Sequence, residues 1–350
     1  MSVSLSDRID RFQRRHNSLG FPLAVIYKFF DDRGTYLSAL VTYYAFVSLF
    51  PLLLLFYSGL GFFLQGDTHL RHTLSTSVLQ DFPVIGSKLS NNITGFHGSG
   101  LGLAIGILGT LYGGLGAMQA AQAGFNTIYG VPRNRQPNPI KSRARSLALV
   151  GLLGSGVILS TALAAILATA NGISSQLGLA VHVAGYGLNY ALNVALFSAA
   201  FKLLTVLDLR ARQVLPGSMV AAGAWTLVQT FGSSYIGHAL KHSDHLYGVF
   251  AVVLTTLAWL YVQSLILMLS AEINVVLHRR LWPRSLLTPF TDNVVLTPAD
   301  RRAYELYAKT QRFKGFETVT AEFEPSNVDG EDPEQRPVGS SADAGEGPSG

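Results

Sequence analysis

The sequence predicts an all-α membrane protein: a polytopic bundle of six transmembrane helices with both termini in the cytoplasm, plus a short external amphipathic helix. Three observations predict it. Charged residues make up only 13% of the chain, about half the share usual for a soluble domain. Apolar stretches of about 20 residues or more, the length needed to cross a bilayer, recur six times. Lys and Arg in the connecting segments alternate between abundant and scarce.

The six stretches cover residues 36–64, 100–128, 147–170, 181–207, 216–238 and 246–277. Ahead of the first, residues 1–35 form a basic N-terminal segment with Arg8, Arg11, Arg14, Arg15, Lys28 and Arg33. Its aromatic part, 21–30, is expected to lie along the inner interface. The next connector, 65–99, carries only Arg71 and Lys88, whereas the one after holds Arg133, Arg135, Lys141, Arg143 and Arg145. Residues 171–180 have no basic side chain, Arg210 and Arg212 follow the fourth stretch, Lys241 follows the fifth, and Arg279, Arg280 and Arg284 follow the sixth. Cytoplasmic loops retain Lys and Arg, so the alternation fits six crossings with both ends inside, and an odd number would break it.

Other compositional features agree. The mean hydropathy is +0.31. The chain holds 35 Gly, 20 Phe and 14 Tyr, consistent with close helix approach and interfacial aromatics. There is no cysteine, which excludes disulfides, thiolate-bound metals and a thiol nucleophile. No cleavable signal peptide is visible, because the first apolar run is too long and too far from the start. In the long connector 65–99, Leu70, Leu74 and Val78 recur at helical spacing before Phe82 and Pro83, the basis for the external amphipathic helix. Residues 279–315 read as a cytoplasmic C-terminal segment. Residues 316–350, rich in Glu, Asp, Gly, Pro and Ser, read as a disordered acidic tail.

Polar residues inside apolar stretches are the candidate functional groups. Gln119, Gln122 and Asn126 share one face of the second stretch, Asn189 and Asn193 share one face of the fourth, and Gln229 and Gln263 sit mid-way along the fifth and sixth. Amides are costly against lipid, so they are expected inside the bundle, either as interhelical hydrogen-bond glue or as the lining of a polar pathway. Lys202 and Glu272 fall near the cytoplasmic ends of their stretches, and an ion pair between them would relieve the burial of both. The alternative is that Lys202 snorkels to the headgroups. Gly102 with Gly106, and Gly109 with Gly113, are small-residue pairs that admit another helix. Pro51 is expected to kink the first helix.

His238, His242, Asp244 and His245 form a weak metal-ligand candidate between the fifth and sixth stretches. His238 and His242 are four apart, but no partner motif accompanies them. No P-loop, nucleophile elbow or zinc-protease helix motif is present. The expectation is therefore a protein that is not an enzyme, with no cofactor and no nucleic-acid partner. Its expected partners are membrane lipids, and copies of itself or envelope-assembly proteins.

Several of these stretches together resemble the YihY/BrkB family of bacterial inner-membrane proteins, formerly mislabelled ribonuclease BN. The sixth reads YGVFAVVLTTLAWLYVQSLILMLSAEIN, with Tyr247, Gly248, Trp259, Tyr261, Ala271 and Glu272 at the family's motif positions. The first holds LVTYYAFVSLFPLLLL, with Tyr43, Tyr44, Ser48 and Pro51 in place, and the second ends in FNTIYGV with Asn126. The fifth opens with Pro216 and Gly217 and continues to Trp225 and Tyr235. The family has Gly where this chain has Ser270, a change small enough to keep close packing. The resemblance spans residues 21–281 and implies location and architecture rather than chemistry. With the amides, it raises the expectation of a permease or translocator of an envelope-related amphiphile, a lipid or lipid-linked glycan. The alternative is a non-transporting membrane scaffold.

Overall fold

A computed structural model describes residues 17–63, 100–170, 178–241, 248–286, 288 and 294–323. Among them are eight α-helices, one 3₁₀ turn at Arg133–Arg135 and no strand. We number the helices α1 (Asn17–Asp31), α2 (Gly34–Phe63), α3 (Gly100–Ile128), α4 (Pro139–Ala170), α5 (Gly178–Leu204), α6 (Ala211–Lys241), α7 (Gly248–Arg279) and α8 (Pro298–Thr310). Segments of α4, α5 and α7 (Pro139–Ser160, Val183–Leu204 and Val253–Arg279) are long and apolar enough to cross a membrane.

The six long helices, α2 to α7, form a ring. Each packs on its neighbour in sequence, α7 returns to α2, and α3 also reaches α5 and α7. Hydrogen bonds gather five helix termini at one end. The end of α3 meets the start of α4 through Gln122 and Ser142, and the end of α5 through Asn126 and Thr205. The start of α6 meets α7 through Gly217 and Asn274. Arg133, Lys141, Arg145, Arg210 and Arg279 all fall at this basic end. Neighbouring long helices therefore run antiparallel.

Glycine decides the tightest seam. A Cβ at Gly109 would stand 2.6 Å from Pro51, and one at Gly113 would stand 2.5 Å from Ser48. Gly116 meets the Tyr44 ring in the same way. The small-residue stripe of α3 thus lets α2 lie almost against its backbone, and α2 continues through Pro51. Along α6 and α7, Gly232 receives Trp259 and Gly217 abuts the Ser270 carbonyl oxygen.

The outer faces are apolar and uncovered. Ile158 is 72% exposed and Tyr186 76% exposed, and Leu108, Val183 and Phe231 are also exposed. Such contiguous exposure suits lipid rather than water. Among the described residues, the buried core at the basic end gathers around Phe125, Ile128, Phe201, Val214, Met268, Val275 and Val276. Phe125 and Phe201 tie α3 to α5 with ring centroids 5.0 Å apart.

Three expectations change at the helix ends. α6 begins at Ala211, so Pro216 lies inside the helix rather than at its start. α4 begins at Pro139, so its first two turns are polar and basic. Residues 21–30 belong to α1, whose Ala24, Lys28 and Phe29 are buried, so this segment packs into the protein instead of only lying along an interface. The amphipathic helix expected within 65–99, and the tail beyond residue 323, lie outside the described residues.

Candidate functional site

The most concentrated chemistry lies where α1, the end of α3, α7 and α8 converge. Lys28 projects from the last turn of α1, and its side chain is 1% exposed. Its Nζ donates to the Ile128 carbonyl oxygen at 2.9 Å, capping the end of α3. It also donates to Asp32 on the next turn and stands 3.1 Å from Glu272 on α7. Glu272 is fully buried, and neither of its oxygens accepts a hydrogen bond. Asp32 and Glu272 thus flank the same ammonium group.

Burial alone would lower the Lys28 ammonium's pKa, but Glu272 and Asp32 outweigh it and the net direction is upward. Asp32 is also raised, because desolvation exceeds the help from Lys28. Tyr307 of α8 places its ring 5.9 Å from Lys28 Nζ.

A second charged knot fastens the chain after α7. Arg284, 1% exposed, donates from Nε to Asp300 at 2.9 Å and from Nη1 to Asp31 at 2.7 Å. Asp300 also accepts from the backbone N–H groups of Ser285 and Thr297 and from the Thr297 hydroxyl. Thr297 and Asp300 form the capping box that starts α8. Tyr307 donates to Asp31 at 3.0 Å. The two knots are adjacent, since Asp31 and Asp32 are consecutive.

The predicted amides separate into two groups. Gln122 is buried; it donates to the Ser142 carbonyl and the Ser146 hydroxyl and accepts from the Ser142 hydroxyl. Asn126 accepts from the Thr205 hydroxyl and the Val206 N–H. Asn193 donates to Asn189 at 2.9 Å on the same helix. Those four act as fasteners. By contrast, the buried side-chain oxygens of Gln229 and Gln263 have no partner, and neither have those of Thr110 and Ser198. Gln119 is half-buried.

The expected pairing of Lys202 with Glu272 is not what the structure holds. Lys202 is exposed at the end of α5, where a long side chain reaches water without needing a counter-ion, and Lys28 takes Glu272 instead. Lys28, Asp32 and Arg284 are the residues that sequence reasoning missed as a site. The available signal was Lys28 and Asp32 one helical turn apart within an aromatic stretch.

The other motif residues are mostly packing groups. Tyr44 and Ser48 line the α2–α3 seam and Tyr43 is 60% exposed beside it. Trp225 packs edge-on against Phe197 at 6.1 Å, Ala271 is fully buried, and Tyr261 is half-buried. Gly248 is the first residue of α7. Tyr235 and His238 lie on α6. Tyr247, His242, Asp244 and His245 lie outside the described residues.

A cavity of about 370 Å³ opens beside this centre, lined among others by Tyr129, Asp208, Gln213, Asn274, His278 and Arg279. Arg279 donates to the Tyr129 carbonyl oxygen at 3.0 Å. Burial pushes the Tyr129 hydroxyl up to about 12, against the opposing pull of the neighbouring Asn274 amide.

The helical ring and this α1–α7 junction fall within residues 25–290, which match the family profile described as Virulence factor BrkB. The chain belongs to the BrkB family. Its apolar helices and this membership make it a membrane protein. Among curated proteins it is similar to the ribonuclease-like protein YfkH of Bacillus subtilis (strain 168), with 27% identity over 255 residues, covering 69% of this chain and 90% of that one. No solved structure matches. The matched residues take in Lys28, Asp32, Glu272 and Arg284 but stop short of α8, so the Asp300 side of the second knot lies beyond the family region.

Proposed function

We propose that this BrkB-family protein is a six-crossing cytoplasmic-membrane permease with both termini in the cytoplasm, which moves an envelope-related amphiphile, a lipid or lipid-linked glycan. The observation that carries the reading is the set of unpartnered buried oxygens of Gln229, Gln263, Thr110 and Ser198. They sit on α6, α7, α3 and α5, four helices of one ring. Buried oxygens without donors are costly in an apolar surrounding. Water or the hydroxyls of a polar headgroup would supply those donors. The exposed apolar faces would hold the acyl part in continuity with lipid.

The bonded amides favour a second reading. Gln122 and Asn126 spend their side chains on holding helices together, as a non-transporting scaffold would, and Asn189 and Asn193 bond to each other within α5. On the permease reading the same bonds keep the basic end closed. The ribonuclease-like name of the Bacillus relative is not carried over: Lys28, Asp32 and Glu272 are at most 8% exposed, out of reach of a polymer, and the role we propose is not enzymatic.

Reconstitution into liposomes with labelled lipids distinguishes the readings. Wild type is expected to speed passage between leaflets. Gln263→Leu is expected to slow it about tenfold, the rate equivalent of one hydrogen bond to the headgroup. Rates equal to protein-free vesicles across the panel would leave the scaffold.

A further inference from the structure

The ion count at the α1–α7 junction does not balance. Lys28 brings one positive charge, and Asp32 and Glu272 bring two negative ones, all three within the protein interior. Among the described residues, the other titratable or charged groups facing them are committed elsewhere or neutral. From α1, Asp31 is held by Arg284 and by the Tyr307 hydroxyl. From the segment after α7, Arg284 is shared between Asp31 and Asp300. From α8, Tyr307 lies over Lys28 with its phenol kept neutral by burial. From the end of α3 come the Ile128 carbonyl, already bonded to Lys28, and the neutral Tyr129. None of these offers a second cation to the acid pair.

A buried site of net charge −1 costs several kcal/mol. The geometry also lacks a hydrogen. Asp32 and Glu272 both flank the one Lys28 ammonium, Glu272 at 3.1 Å, yet two ionised carboxylates are both acceptors and have no hydrogen to share. Both Glu272 oxygens remain unbonded at zero exposure. One hydrogen placed between the acids supplies the missing donor and brings the charge to zero. Asp300, with four donors to its carboxylate, has no such need.

We propose that Asp32 and Glu272, bridged by Lys28, form a reversible proton-binding site that holds one proton between the two carboxyls. The proton sits on one carboxyl and is donated to the other, and its release to water leaves both ionised around Lys28. The site is distinct from the unpartnered oxygens of Gln229 and Gln263. It stands whether or not the chain moves an amphiphile, and if it does, this proton is the candidate coupling ion for a protein that shows no nucleotide-binding motif.

Infrared difference spectroscopy on the full chain in detergent tests it. Wild type is expected to show a carboxylic-acid carbonyl band that persists at neutral pH, shifts in heavy water and vanishes as pH rises. Glu272→Gln and Asp32→Asn are each expected to lack that band. Its absence in folded wild type at neutral pH would overturn the proposal without recourse to the variants. Survival of the band in both variants would overturn it too, by assigning the proton to another group.

Discussion

At Gly217 a missing side chain permits two contacts. Its backbone N–H donates to Asn274 at 2.7 Å, and a Cβ there would stand 2.1 Å from the Ser270 carbonyl oxygen. Neither backbone can yield without moving α6 from α7. Gly217→Ala is therefore expected to cost at least the 1–3 kcal/mol or so typical of overpacking, read as a lower Tm in detergent. Gly114→Ala is the control: nothing lies within 4 Å of a Cβ there, so the same substitution should leave stability within about 1 kcal/mol of wild type, gaining slightly from helix propensity. Tyr129 gives a second residue-scale test. Its phenol ionises near 12 rather than the usual 10 or so because burial disfavours the phenolate. The folded state thus prefers the neutral form. The stabilisation is complete below about pH 10 and is lost as pH climbs toward 12. Ultraviolet titration should find one tyrosine ionising with that late midpoint, and Tyr129→Phe should remove it.

α8 illustrates how an element is held by a single side chain. Its hydrophobic contacts are few, with Ala299, Ala303 and Leu306 buried, while Arg284 reaches from the preceding segment to Asp300 and Asp31 at once. Leu306 packs against Gly130, whose φ of +67° and lack of Cβ let the chain turn beneath it. Arg284→Ala would leave two acids without their cation, a loss of about 3–5 kcal/mol for a buried pair. Hydrogen exchange is expected to speed up across residues 298–310 and the end of α1, with the middle of the ring unchanged. Thr297→Ala removes only the cap, about 1 kcal/mol, and should loosen α8 alone. Elements such as these were unequally legible. The long helices followed from apolar length, because an 18- to 30-residue apolar run has few other stable arrangements. Their ends were less legible: α4 and α6 extend into basic, polar residues that hydropathy alone reads as loop. α8 went unread because its apolar face is only Ala299, Ala303 and Leu306, although Thr297, Pro298 and Asp300 carry a capping signal ahead of it.

For the whole molecule, the central question is how a ring of mostly apolar helices tolerates ions inside. Lys28 and Glu272 show why the candidate site was the least legible feature. Each is an ordinary single charge in its own stretch, and only closure of the ring by α7 against α1 and α2 brings them together. The sequence did point to Glu272 as unusual, and chose Lys202 as its partner because both were expected at the same depth. It could not weigh a lysine in α1 that reads locally as part of a basic terminus. The pairing makes a prediction about order of effect. Lys28→Met leaves two buried carboxyls without a cation and should be the most damaging single change, by about 3–5 kcal/mol. Glu272→Gln leaves the Lys28–Asp32 pair balanced and should cost much less. Combining Lys28→Met with Glu272→Gln should recover part of the first loss, and strictly additive melting shifts would argue against a shared network. Global topology is tested separately: reporters fused to either terminus should both report the cytoplasm.

The junction between α1 and α7 also has a consequence for biosynthesis. A ribosome working at roughly 5–20 residues per second releases Lys28 about ten to fifty seconds before Glu272 emerges. Throughout that interval the nascent α1 has its Asp32 partner but not the acid that completes its burial, so Lys28 has no sealed interior to enter until α7 is made. α1 is made well before it can be seated, and a translation arrest before residue 272 should leave Lys28 open to amine-reactive labelling that the finished protein refuses.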